Sequence, residues 1–324
     1  MRNTLARAVA KMRRLLSQNH LNLSAEKETT SQDYWSAHNV TAHRTYSTTA
    51  ESLNHFHWRN AQYPGYIDLM PVAGHDGEVV LDYGCGPGHD LVGFGTFSKP
   101  SKLIGIDVSE VSLEEARQRL DVHKMECEVI QVQEPDELIP LADNSVDYIH
   151  CSGVLNHVAS PDRTLAEFHR ILKPHSDVRI MVYNSDSIWV HLYAAYVLLL
   201  RDDRYRGMSL QEAFRRSTDG FDCPISRRWQ ASEMVELGRV AGFEATHLGN
   251  AISLFELSLM TRRFEAMMDP AFGRQSRELL TNLRFNEYDL PIIDGQVAGI
   301  DGCYKLTKLG TEEPAHVATQ GSEA

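Results

Sequence analysis

Val79-Val80-Leu81-Asp82-Tyr83-Gly84-Cys85-Gly86-Pro87-Gly88 is the stretch whose reading decides the fold. Apolar residues suited to a buried strand run into an acid, and three glycines then fall on alternate positions. A strand that opens into a glycine-rich turn and a helix makes a cradle where backbone approaches a ligand closely, because glycine has no Cβ. The spacing narrows the ligand. A dinucleotide fingerprint needs glycines in the order GxGxxG, whereas here Gly84, Gly86 and Gly88 are followed by His89. Asp82 would also stand close to any pyrophosphate and repel it. Its charge suits a ligand carrying an ammonium or sulfonium group, so the turn reads as a seat for a cationic nucleoside.

Further motifs follow in order. Leu103-Ile104-Gly105-Ile106-Asp107 reads as a second buried strand ending in an acid, and Ser109 as the N-cap of a helix with Glu110, Glu114 and Glu115 near its positive end. Leu141-Ala142-Asp143-Asn144-Ser145-Val146-Asp147-Tyr148-Ile149 leads into another strand, and Leu165 to Pro174 reads LAEFHRILKP. Asp82-x-Gly84-x-Gly86-x-Gly88 resembles the first motif of the class I S-adenosylmethionine-dependent methyltransferases, and the later segments resemble that family's "LPF-x-D-x-S-F-D" run and "L-x-E-x-x-R-V-L-K-P" helix and turn. The resemblance covers roughly residues 78 to 183, about a third of the chain. Four motifs in sequence are far more specific than a glycine turn alone.

The resemblance implies S-adenosyl-L-methionine as cofactor, held by Asp82, Gly84, Cys85, Gly86, Gly88, Asp107, Val108, Glu134 and Ser152, with Asp107 taking the two ribose hydroxyls. There are departures. Where the family carries "GD" and a small residue to read adenine, this chain has Gln133-Glu134-Pro135, and Pro135 has no N–H to give. Either Glu134 stands in for the acid, or the register shifts and Asp136 reads the base. The glycine expected after Lys173-Pro174 is His175, a turn difference without chemical meaning.

Strand and helix alternate through the core: Val79–Tyr83, a helix from His89, Leu103–Asp107, a helix over Glu110 to Leu120, Glu128–Val132, Val146–Ser152, a helix from Pro161 to Leu172, and Val178–Tyr183. That alternation predicts a parallel sheet covered on both faces, with ligands at the strands' carboxyl ends. The expected fold is α/β, Rossmann-like, with a seven-stranded mostly parallel sheet and helices on both faces. It carries a helical N-terminal cap and a helical insertion after the fifth strand. Residues 1–75 would form a basic helix and an aromatic cap, 76–310 the methyltransferase domain with its insertion at about 186–228, and 311–324 a disordered tail. A helix from Ser232-Glu233, a sixth strand beyond Phe243 and a seventh within Gln296 to Leu309 would complete it.

A net charge of −12 argues against a nucleic-acid partner, because such partners are met by clustered Lys and Arg. The five cysteines, at 85, 127, 151, 223 and 303, show no metal-ligand spacing and fit a reducing, cytoplasmic compartment, so no metal is expected. Met1 to His20 carries Arg2, Arg7, Lys11, Arg13 and Arg14 without an acid. It could be a solvated helix, a peripheral membrane contact or an organelle presequence. Oligomeric state is not legible.

Methyl transfer from an activated donor needs positioning and exclusion of water more than a strong catalytic signature. His157, just after the fourth strand, is the general-base candidate by placement. His191, His55 and His57 are lesser candidates, Arg59 could meet the cofactor's carboxylate, and Asp186 could steer a cationic acceptor or cap a helix. The acidic body, the cap and the insertion favour an enclosed pocket and a small-molecule acceptor methylated at oxygen. The alternatives are a macromolecular methyltransferase acting on RNA or protein, and a non-catalytic cofactor-binding partner protein.

Overall fold

The computed structural model describes residues 31–38, 44–133 and 138–310. The basic segment 1–20, Glu134, Asp136 and the tail 311–324 lie outside the described residues. The first core strand, β1 (Val79–Tyr83), pairs in parallel with β2 (Lys102–Asp107) on one side and β4 (Val146–Ser152) on the other. With β3 (Glu128–Gln131), β5 (Leu172–Tyr183), β6 (Phe243–Ala251) and β10 (Asp301–Lys308), they form a seven-stranded sheet in the order β3-β2-β1-β4-β5-β10-β6. The late strand β10 is antiparallel to both its neighbours. The chain leaves β1 in opposite directions along the sheet, which opens a crevice at the carboxyl ends of β1 and β4.

Alternation along the strands assigns the two faces. Leu81, Tyr83, Ile104, Ile106, Ile149 and Cys151 pack beneath α6 (Pro161–Ile171) and α8 (Ala231–Val240) through Leu165, Phe168 and Met234. Val80, Leu103 and Tyr148 face Phe56, Leu91, Phe94 and Leu113 of α2 (Thr49–Asn60), α4 (His89–Phe97) and α5 (Glu110–His123). Asp82 falls on the Val80 face. The acids and Arg170 of the later motifs serve structure: Arg170 donates to Asp143, to Glu167 and to the carbonyls of Ile139 and Leu141.

The cap comprises α1 (Ser31–Ala37), α2 and the short α3 (Tyr66–Leu69). Arg119 of α5, 1 % exposed, pins α2 to the core. Its Nε donates to Ser52 Oγ at 2.7 Å, its Nη2 to the Ser52 carbonyl at 3.0 Å, and its Nη1 meets His89 Nδ1 at 2.5 Å. Ser109 caps α5 as expected, accepting from the Ser112 N–H.

The apolar run after β5 is helical, as the insertion was expected to be, and takes the form of a π-helix, Trp189–Leu198. It is buried on several sides, with Leu192 and Tyr196 against Ile252, Phe272 and Leu280 while Val190 and Ala194 meet Phe214 of α7 (Leu210–Arg215). The insertion at 186–228 also has a companion. Residues 252–300 hold α9 (Leu254–Leu259), α10 (Arg263–Met268), α11 (Arg274–Asn282) and a separate small sheet of β7 (Arg284–Phe285), β8 (Pro291–Ile293) and β9 (Gln296–Val297). The seventh sheet strand, Asp301–Lys308, falls inside the expected span Gln296 to Leu309 and begins after this small sheet. Residues 298–300 bridge to it, with the Ile300 carbonyl accepting from Asn184 N–H and the Ala298 carbonyl from Ile188 N–H. Finally, β5 starts at Leu172 rather than Val178, and within it His175 adopts φ +63°, a region that favours glycine.

Two stability outcomes follow. Arg119→Ala, which leaves Ser52 and His89 facing a void, lowers unfolding free energy by about 3 kcal/mol in urea titration. His175→Gly raises it by up to ~1 kcal/mol, by relieving the left-handed strain.

Candidate active site

The glycine turn sits where the sequence places it. Gly84, Gly86 and Gly88 all have positive φ, at +76°, +50° and +74°. A Cβ on Gly84 would lie 2.1 Å from Val154 Cγ2, and one on Gly88 3.2 Å from Ala116 Cβ. Backbone shape and neighbouring side chains both exclude other residues at Gly84.

Asp107, at the carboxyl end of β2, organises the turn. Its Oδ2 accepts from Gly86 N–H and its Oδ1 from Ser109 N–H, each at 2.8 Å. Burial raises its carboxyl, with the N–H groups of Ser109, Gly86 and Val108 pulling the other way. A carboxylate has about four lone-pair sites, more than these N–H groups occupy, which leaves room for a ribose hydroxyl. Val108 and Cys85 are buried beside it, and Cys85 serves as a small packing residue under Gly105.

Asp82 is 2 % exposed, and its Oδ2 has no hydrogen-bond partner. Burial, and then neighbouring Asp90, push its carboxyl well above the ordinary range, while Arg59 works in the opposite direction. Arg59, on α2, donates from Nη1 to Asp90 Oδ1 at 2.8 Å. Burial alone would raise Asp90, yet Arg59 and the adjoining His150 hold it well below the usual carboxylate range. His150 Nε2 lies 3.6 Å from Asp90 Oδ2. The orphaned Asp82 oxygen and the glycine cradle together fit a ligand with a cationic amino-acid end and a ribose diol. Ser152 lies at the end of β4, its Oγ 2.5 Å from Tyr66 Oη, which ties α3 of the cap to the sheet.

His157 is 7 % exposed, and its two ring nitrogens face opposite partners. Nδ1 lies 2.6 Å from the Ile225 carbonyl, which can only accept, so Nδ1 carries a proton. Nε2 lies 3.3 Å from Asp219 Oδ2. Tyr183 Oη donates to the same carboxylate, at 3.0 and 2.9 Å. The expected general-base role would require breaking one of these contacts. From the cap, Trp35 packs edge-on against the His157 ring at 4.8 Å and Tyr34 Oη donates to the Asp219 carbonyl at 2.6 Å.

Cys223 completes a buried trio in which one ligand atom each of His157, Asp219 and Cys223 lies within 4.8 Å of the others. Its Sγ is 3.7 Å from Nδ1, whereas Asp219 meets Nε2. These contacts make the trio a hydrogen-bonded latch between the end of β4 and the insertion.

The other candidates are placed elsewhere. His191 meets Ser276 Oγ at 2.9 Å inside the lid, and burial lowers it to about 4. His55 is buried, where it bonds Tyr46 and packs edge-on against His89, and the exposed His57 packs edge-on against Phe97. Asp186 does not cap the π-helix; the neighbouring Ser187 Oγ accepts from Val190 N–H. Asp219 and Tyr183, which join His157 in this network, and the buried Asp301 were not singled out as candidates by the sequence reading. None belongs to a motif, although Ser253-x-x-Glu256 is a legible capping box marking the second insertion beside them.

The model of the family described as "Methyltransferase domain" matches residues 74–199. A probable methyltransferase, ltbC, of Aspergillus luteorubrus is 29% identical over 213 residues, covering 60% of this chain and 69% of that protein. A ubiquinone biosynthesis O-methyltransferase of Aromatoleum aromaticum is 30% identical over 169 residues, covering 49% of this chain and 67% of that one. An uncharacterized 37.1 kDa protein in transposon TN4556 of Streptomyces fradiae is 41% identical over 113 residues, and there the chain covers 31% of the relative's length and the match 33% of this chain.

Asp107→Ala is expected to abolish calorimetric binding of S-adenosylhomocysteine while circular dichroism stays unchanged. Undiminished affinity would overturn the ribose assignment.

Proposed function

Because the chain belongs to the class I S-adenosylmethionine-dependent methyltransferases, we propose that it methylates a small-molecule acceptor, at oxygen. The observation that carries this reading is the enclosure of the sheet's carboxyl edge. Trp35 and Tyr66 of the cap and Asp219 and Cys223 of the insertion bond or pack onto His157, Ser152 and Tyr183, at or just beyond the ends of β4 and β5, and Tyr34 ties the cap to Asp219. A long polymer needs an open groove lined with cations, and a chain of net charge −12 offers little to match one. The O-methyltransferase named among the relatives is in keeping with an oxygen acceptor.

When bound, S-adenosyl-L-methionine supplies a methyl group already activated on sulfur, so the protein's work is placement and exclusion of water. Asp107 would hold the ribose, with Gly84, Gly86 and Gly88 letting backbone approach. Asp82 would take the ammonium, which satisfies its orphaned oxygen and offsets a buried charge. Arg59 keeps Asp90 ionised and withholds that charge from competing for the same ammonium. The His157–Asp219–Tyr183 chain of contacts holds the insertion down over the acceptor side. A phenolic or enolic hydroxyl would need little help in losing its proton.

No described helix is long and apolar enough to cross a membrane. Contact of the basic segment 1–20 with a membrane surface remains part of the proposal, as does a cytoplasmic setting.

Radiolabelled S-adenosylmethionine and purified protein added to an extract of the source organism should place label in the small-molecule fraction. Label in protein or RNA would support the macromolecular alternative. The absence of label from every fraction would favour a non-catalytic partner protein.

A further inference from the structure

Asp301 opens β10 and sits directly opposite Tyr183 of β5, so the two share a face of the sheet. Asp301 is 4 % exposed. No hydrogen-bond donor among the described residues reaches its carboxylate. Burial, then Glu256, raise its carboxyl, and the more distant Arg59 offsets this in part. Its charge in turn acts on the phenols of Tyr63 and Tyr183, which flank it. Tyr63 and Tyr183 belong to an apolar cluster with Trp189, Phe214, Phe255 and Ile300, the floor beneath the lid.

The neighbouring acids are accounted for. Asp90 has Arg59, and Asp219 has His157 and Tyr183. Glu256 accepts from the N–H groups of Trp189 and Ser253 and from the Ser253 hydroxyl. Asp82 faces the cofactor's side. Asp301, like Asp82 on the cofactor's side, is left without a bonded partner among the described residues, and an unpaired buried carboxylate costs several kcal/mol unless a proton or a cation joins it.

Distance decides between a base and an anchor. Ser152 of β4 is in register with Met181, two residues before Tyr183, and Asp301 lies on the strand beyond. Two strand spacings across and two residues along place Asp301 about 12 Å from Ser152. That is too far to take a proton from an atom being methylated at the end of β4. It suits a group about one ring length along the acceptor.

Resting on the small-molecule reading above, we propose that the acceptor is an aromatic amine, its cationic nitrogen paired with Asp301 between Tyr63 and Tyr183 and its methylated oxygen at the ring's far side. A carboxylate and aromatic faces together recognise an ammonium on an aromatic frame. A neutral acceptor would leave the buried charge unmatched.

The test uses matched probes that differ in a single group, tyramine against tyrosol and dopamine against hydroxytyrosol. Calorimetry is run on the full chain saturated with S-adenosylhomocysteine. Each amine should bind at least tenfold tighter than its alcohol, and Asp301→Asn should erase that preference while binding S-adenosylhomocysteine within twofold of wild type. The same variant, without ligand, should show a raised thermal midpoint, since it loses an unpaired buried charge. Equal affinity for amine and alcohol, binding of neither, a preference that survives Asp301→Asn or a lowered midpoint would each overturn the proposal. Failure of wild type to bind S-adenosylhomocysteine would instead overturn the methyltransferase reading on which it rests.

Discussion

Arg59 and Asp90 meet at 2.8 Å beneath the glycine turn, joining the N-terminal cap to the first helix of the core. Three acids, Asp82, Asp90 and Asp107, crowd the carboxyl edge there, and like charges at such range cannot all ionise without a counter-charge. The Arg59 guanidinium keeps Asp90 ionised and tempers Asp82. It also acts on Asp301 at the start of β10. The glycine turn, the cap and the last strand of the sheet thus share one cation. Removing it would release the cap and change the protonation of the acids around it.

The rest of the enclosure is built from polar contacts that cross long stretches of chain. Tyr34 reaches Asp219 across 185 residues, and Tyr66 reaches Ser152 across 86. Each is short and at least part-buried, where hydrogen bonds are individually stronger and costly to leave unmade. Behind them the two insertions pack on each other through Leu192, Tyr196, Phe272 and Leu280, so the lid is a small hydrophobic body with its own core. The donor seat is strung on short strand-to-helix turns, whereas the acceptor side depends on this second body.

That contrast explains what the sequence disclosed. Val79–Tyr83 and Val146–Ser152 were readable to the residue because buried parallel strands are apolar runs with sharp ends. Gly84, Gly86, Gly88, Asp107 and Ser109 were readable because their geometry is local. Asp219 and Asp301 were not, since each acquires its meaning from partners far away in the chain. Two acids in polar surroundings carry no periodic signal. The second insertion blurred into the sixth and seventh strands because its helices are short, and its small sheet borrows Gln296 and Val297 from the run that continues into β10. His157 was placed correctly after β4, but its chemistry depends on the Ile225 carbonyl and Asp219, which no local pattern could supply.

The position of β10 has a bearing on how the molecule comes into being. It is the last of the seven strands along the chain, yet it is wedged between β5 and β6, which touch each other nowhere in the ladder. During synthesis β6 and α8 must therefore wait, unpaired with the sheet, until some fifty intervening residues have emerged, and contacts of such separation form slowly. β1, β2, β3, β4 and β5 can assemble earlier, and with them the cradle of Asp82, the glycines and Asp107. The strand that closes the sheet also delivers Asp301. The topology therefore makes Asp301 the last of the buried acids to take its place in the sheet.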